Sequence, residues 1–183
     1  MSFVSFKEVI MEFSELLKYR QSTRAYTAEP VSKEDIEALI DAAQHAPVGM
    51  HNNEGYLITV ITSPEVLALM RKTYQEMRCV PNDPTYGAPL FILVSKTGKA
   101  IEELAKYDAA CFIENMHLAA ADLGLGSVYI HGMIFTIRQA KSWQKAAGLP
   151  DDVVPLCGLA AGHSKMPLRP RPAKANYTVS YAE

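Results

Sequence analysis

A surplus of charge of one sign is absent from this chain. Its 183 residues carry 18 Lys and Arg against 20 Asp and Glu, a net charge of -2, so no overall basic field exists to recruit nucleic acid. Cysteine is scarce and shows no pairing pattern: Cys79, Cys111 and Cys157 are odd in number, far apart and outside any CxxC spacing. That usage predicts a reducing, cytoplasmic location and argues against a zinc site. The five histidines include no i, i+4 pair, and no metal centre is expected. No apolar run approaches the roughly 20 residues that span a bilayer, so no membrane partner is expected either. Glu8 and Glu12 lie near the start, where a signal peptide would place a basic segment and then an apolar stretch. What is present is ordinary for a globular chain: 49% apolar and 21% charged residues, at a length that suits one domain with a substantial core.

Helices and strands mix without a regular βαβ rhythm, which predicts an α+β fold. Phe6, Ile10, Phe13 and Leu17 recur at helical spacing over residues 5–19. Ser32, with Asp35 three residues on, opens a helix that runs to Pro47. Tyr56–Ile61 is a β-rich run, and Ser63-Pro64-Glu65 begins another helix. Pro89–Val94 is nearly all apolar, as expected of a strand covered on both faces. A long helix is expected over Lys99–Leu123, stopped by Gly124. Then come a strand at Val128–Ile130, a surface helix at Thr136–Ala147 carrying Trp143, and a strand at Val153–Ala161. The residues Asn176–Tyr181 alternate like an edge strand.

Arg20-Gln21-Ser22-Thr23-Arg24 carry the strongest chemical signal. In an extended segment alternate residues share a side, so Arg20, Ser22 and Arg24 would present two guanidiniums and a hydroxyl to one point. That set suits a phosphate. The same residues also suit a helix end, with Arg20 complementing the C-terminal dipole and Arg24 solvated. Three further segments stand out. In Pro47-Val48-Gly49-Met50-His51, Gly49 would allow a ligand close to the backbone. Gly124-Leu-Gly126-Ser127 leads through Ile130 to His131-Gly132. Arg169-Pro170-Arg171-Pro172 sets two more guanidiniums on a stiff backbone. Each is weak alone, since loop glycines usually mark turns and basic proline-rich tails are usually solvated. Cys111, Cys157, Met116 and Met133 lie in apolar stretches and read as core.

In this order, the segments resemble the nitroreductase-like flavoprotein family. The resemblance rests on the Arg-x-Ser-x-Arg start, the Ala46-Pro47 loop, Gly87-Ala88-Pro89 entering a strand, and Asp108–Ser127 with its Gly-Leu-Gly-Ser exit. It implies a central, mostly antiparallel sheet flanked by helices, in an intertwined homodimer with FMN at the subunit interface. Residues 1–172 would form the FMN-binding domain, and residues 173–183 an arm that pairs with the partner subunit. Arg20, Gln21, Ser22 and Arg24 would hold the phosphate, joined by Arg169 or Arg171. Pro47, Val48, Gly49, Met50 and His51, with Ile130, His131 and Gly132, would border the flavin ring. NADH or NADPH would deliver hydride to the flavin, and a small-molecule acceptor such as a nitroaromatic or quinone would take it, in a ping-pong scheme needing no catalytic side chain. Dehalogenation or flavin cleavage on the same fold, or a non-catalytic flavin-binding or sensor protein, are the alternatives. Two departures stand out: Pro47-Val48-Gly49-Met50 replaces the commoner loop and resembles a compact subgroup, and His131 stands where some members carry an acid.

Overall fold

β2 (Leu90–Lys96), the most apolar run in the sequence, is an inner strand of the single sheet in the computed structural model of the chain. The structure describes residues 12–172 and 177–182. β1 (Tyr56–Ile61) pairs with one side of β2, β4 (Val154–Gly162) with the other, and β3 (Gly126–Ile130) pairs with β4. The order is β1-β2-β4-β3; every pair is antiparallel, in keeping with the mostly antiparallel sheet that the resemblance implies.

Both faces of the sheet are covered, because β2 alternates between two apolar clusters. Leu90, Ile92 and Val94 pack with Leu39 and Ala43 of α2 (Lys33–Gln44) and Met116 of α4 (Ala105–Asp122). Phe91 and Leu93 pack with Leu67 and Met70 of α3 (Pro64–Arg78), Ile134 of α5 (Gly132–Ile137) and Trp143 of α6 (Lys141–Ala146). All five residues from Leu90 to Val94 are fully buried, a burial worth about 1.5–3 kcal/mol for each large side chain. α1 (Phe13–Tyr19) lies against α4. The caps form as the sequence suggests: Asp35 N donates to Ser32 Oγ at 3.0 Å, and Val66 N to Ser63 Oγ at 3.3 Å.

Four expectations change. The long helix begins at Ala105 and not at Lys99. Residues before it are tied to the loop ahead of β1, where Asn52 Nδ2 donates to Lys99 O at 2.7 Å and Thr97 Oγ1 donates to Glu54 O at 2.8 Å. The expected helix Thr136–Ala147 is two short helices, α5 and α6. At the break, Trp143 Nε1 donates to Ile137 O at 2.8 Å and Gln144 Nε2 to Arg138 O at 2.6 Å. These side chains take carbonyls that a continuous helix would have bonded through its backbone. Trp143 is therefore fully buried and not a surface residue. Finally, Tyr177–Ala182 form no strand within the single chain and are exposed. Phe6 and Ile10 of the first expected helix, and residues 173–176 of the arm, lie outside the described residues.

Candidate functional site

Arg20 ends α1, and the chain then turns extended because Ser22, Thr23 and Tyr26 find strand partners. Thr23 N donates to Ser127 O on β3 at 2.9 Å, and Ser22 bridges Ser127 in parallel. Tyr26 pairs with Ser164 beyond the end of β4, and its buried hydroxyl donates to Thr23 O at 2.9 Å. Burial pushes that phenol's proton affinity well above its usual value. Gly126 makes room for this docking. A Cβ there would stand 2.7 Å from Thr23 Oγ1 and 2.8 Å from Thr23 Cγ2, so only glycine lets the segment lie this close.

The chain's end returns to the same place. Arg171 N donates to Lys18 O at 3.0 Å, Arg171 Nη2 donates to Arg20 O at 2.7 Å, and Gln21 Nε2 reaches Arg169 O at 3.5 Å. Residues 21–25 together with Ser164 and residues 166–168 line a cleft of about 290 Å³ that includes Ser22 and Arg24. Segments some 140 residues apart in sequence thus assemble one cationic region.

The two leading arginines do not simply face one point, however. Arg24 is exposed, with its guanidinium 5.9 Å from the Tyr86 ring centroid and its Nη1 donating to Ser22 O at 3.3 Å. Arg20 turns toward α4. Its Nη1 lies 3.0 Å from His117 Nε2, and its Nε lies 3.7 Å from a carboxylate oxygen of half-exposed Glu114. The reason is that Arg20 still belongs to the helix end, which aims its side chain across α1 toward α4, whereas Arg24 follows the extended run.

The Pro47–His51 loop is braced by α4. Asp108, buried on α4, accepts from Gly49 N at 3.1 Å and from the Tyr56 hydroxyl at 2.6 Å. Burial, reinforced by the Asp108 carboxylate, raises the Tyr56 phenol's pKa. A Cβ on Gly49 would meet Leu104 Cδ1 at 2.5 Å. Gly49 therefore allows the loop to lie close to the start of α4. Val48 is half-buried, Pro47 and His51 are exposed, and Met50 is 81% exposed. Met50 and His51 hold φ values of 57° and 55°, a left-handed conformation uncommon for side chains of their size.

Ile130 is buried, while His131 and Gly132 open α5 at the surface. The His131 ring stacks on Phe135, with centroids 5.8 Å apart, and the Arg138 guanidinium covers the same ring at 4.5 Å. α5 packs on the sheet face opposite α4. Asp108 and His117, which touch the loop and Arg20 respectively, sit nine residues apart on α4, about 13–14 Å along a helix. The single chain therefore gathers the arginine segments 20–24 and 169–171, but leaves residues 47–51 and 130–132 as separate surfaces.

The sequence reading missed His117, Asp108 and Tyr56. A His and an Asp on the apolar face of a helix were the available signal, since such residues are rarely buried without partners. His117 bonds Arg20 and Ser127. Cys157 is buried, and burial pushes its thiol up to about 12, as befits a core residue. Among the described residues no cluster of His, Cys, Asp and Glu could hold a metal ion, and no helix is long and apolar enough to cross a membrane.

A family model described as the nitroreductase family matches residues 17–163, from α1 to just past β4. The chain belongs to that family. The crystal structure of a nitroreductase with bound FMN from Bacteroides fragilis is 26% identical, superposes with a TM-score of 0.81, and covers 94% of this chain and 100% of that one. A protein of Archaeoglobus fulgidus that carries the provisional name NADH dehydrogenase/NAD(P)H nitroreductase is 27% identical over 84% of this chain and 86% of its own length. The FMN reductase (NADPH) of Bacillus subtilis is 27% identical over 81% of this chain, which spans 64% of that longer relative.

Proposed function

We propose that this nitroreductase-family chain is an FMN-dependent oxidoreductase that works as a homodimer in the cytoplasm. The observation that carries the reading is the cationic region built from both ends of the chain. Among the described residues, Arg24, Arg169 and Arg171 have no carboxylate within 4.0 Å, and Arg171 packs on the backbone of Arg20, whose own carboxylate partner is only half-buried Glu114. Guanidiniums so grouped suit a phosphate dianion, and the exposed Ser22 hydroxyl adds a neutral donor. The donor set therefore fits the phosphate of FMN, with Arg20, Ser22, Arg24 and Arg171 as its holders and Gln21 and Arg169 supporting through their mutual contact.

The chemistry FMN supplies when bound is hydride transfer, taken from NADH or NADPH and passed to a small acceptor such as a nitroaromatic or quinone. The chain's part is to bind and orient. The exposed residues Met50 and His51 of one segment and His131 and Gly132 of the other offer surfaces for a ring, and their separation within one protomer favours a site completed across two subunits. Asp108 fixes the loop's aim through Gly49 N.

FMN, and not FAD, should be released on denaturing the purified protein. Gly124-Leu-Gly126 precedes its strand, whereas a dinucleotide-binding glycine turn follows one and opens a helix. Chromatography of the released cofactor decides it, and recovery of FAD alone would contradict the assignment.

A further inference from the structure

His117 is 3% exposed on α4 and bonded on both ring nitrogens. A guanidinium has only donors, so the Arg20 contact at 3.0 Å requires Nε2 to accept. The ring proton then sits on Nδ1 and is donated to Ser127 Oγ at 2.5 Å. Ser127 in turn holds Thr23 N through its carbonyl. One β3 residue thus anchors the backbone of the 20–24 segment and, through the imidazole, its leading guanidinium. We propose that His117 is a positioning residue, a neutral imidazole that holds the Arg20 guanidinium where it meets the phosphate of a bound ligand. The inference rests on the FMN reading above.

The surroundings make the neutral state necessary. Burial first, then the Arg20 and Arg171 guanidiniums, pull His117 from 6.5 down to about 4. The charged groups facing it are Arg20 at the end of α1, Arg171 from the returning tail, and Glu114 on α4 itself, which pairs with Arg20. β3 presents only the Ser127 hydroxyl. A proton on Nε2 would confront the Arg20 donors with another donor and add a third positive charge, so the contact would break and the guanidinium would swing out. Because the folded pKa lies below the unfolded one, the stability this contact contributes is present above about pH 6.5 and lost as pH falls through about 4.

The test uses the full chain, stripped of flavin, and compares FMN with riboflavin by fluorescence quenching for the parent, His117→Leu, His117→Gln and Arg20→Ala. His117→Leu should bind FMN about tenfold more weakly, the effect of releasing one charged hydrogen-bonding partner, and riboflavin unchanged. His117→Gln, whose carbonyl can accept from Arg20, should recover most of the lost FMN affinity. It should also lose the extra decline in FMN affinity that the parent shows as pH falls toward about 4, where the folded imidazole takes up its proton. FMN's own phosphate gains a proton near pH 6, but it does so with parent and variant alike, so the difference between them belongs to the imidazole. Equal changes in FMN and riboflavin binding, or none, for His117→Leu would overturn the proposal. If Arg20→Ala alone loses the preference for FMN, the His117 role fails and the FMN reading stands. If Arg20→Ala keeps that preference, Arg20 does not meet the phosphate and the His117 proposal fails with it. Nitrogen-15 histidine spectra of the unaltered protein need no variant to fold: a neutral Nδ1–H tautomer at neutral pH is expected, and an Nε2–H tautomer overturns the assignment.

Discussion

Replacing Arg20 by alanine is expected to cost FMN binding about 1.5–3 kcal/mol, the scale of a hydrogen bond to a charged group. At about 1.4 kcal/mol per tenfold, the variant should purify with little or no colour. Arg24→Ala should act in the same direction and on the same scale, because its guanidinium is exposed beside Ser22 and the cleft of Ser164 and residues 166–168. Riboflavin, which has no phosphate, should bind parent and variants almost equally. That comparison separates loss of a phosphate contact from general damage, which would weaken both ligands. Direct titration of each flavin checks the expectation, and unchanged FMN affinity in both variants would remove these arginines from the site.

Deleting residues 173–183 should have the second large effect, a loss of dimer together with a loss of flavin. Tyr177, Val179 and Tyr181 are 87%, 66% and 83% exposed in the single chain, an apolar alternation that water does not favour. β1 is meanwhile an edge strand, paired only with β2, and edges of this kind are commonly covered. An arm reaching a partner's open edge would bury the tyrosines and satisfy both backbones at once. The arm follows Arg169 and Arg171, so detaching it would also loosen the returning segment that packs on Lys18, Arg20 and Gln21. Sedimentation and flavin absorbance of the shortened chain measure the two effects together. A shortened protein that remains dimeric and fully yellow would contradict a binding role for the arm.

The scaffold was legible wherever one short-range rule dominates. The apolar run of β2, the Ser32 and Ser63 caps and the glycine stop after α4 each announce themselves within a few residues, and the structure has them close to the expected bounds. The split between α5 and α6 was not legible. Its cause is the tertiary reach of Trp143 and Gln144 back to the carbonyls of Ile137 and Arg138, and helical periodicity carries no trace of it. The site shows the same division. Arg20 to Arg24 could be recognised as a phosphate-suited set, and Arg171 as a candidate addition, because residue type alone limits what they bind. The direction of Arg20 could not, since it depends on a histidine 97 positions away on a different helix. A loop glycine signals close approach but not to what, and within the chain the neighbour of Gly49 is Leu104.

Turnover of a bound flavin is checked by anaerobic addition of NADH, and separately NADPH, to the FMN-loaded protein. At least one donor should bleach the flavin absorbance within the mixing time of a turnover experiment, and a quinone or nitroaromatic should then restore it. Flavin absorbance that persists with both donors would contradict the account and leave a protein that binds flavin without using it.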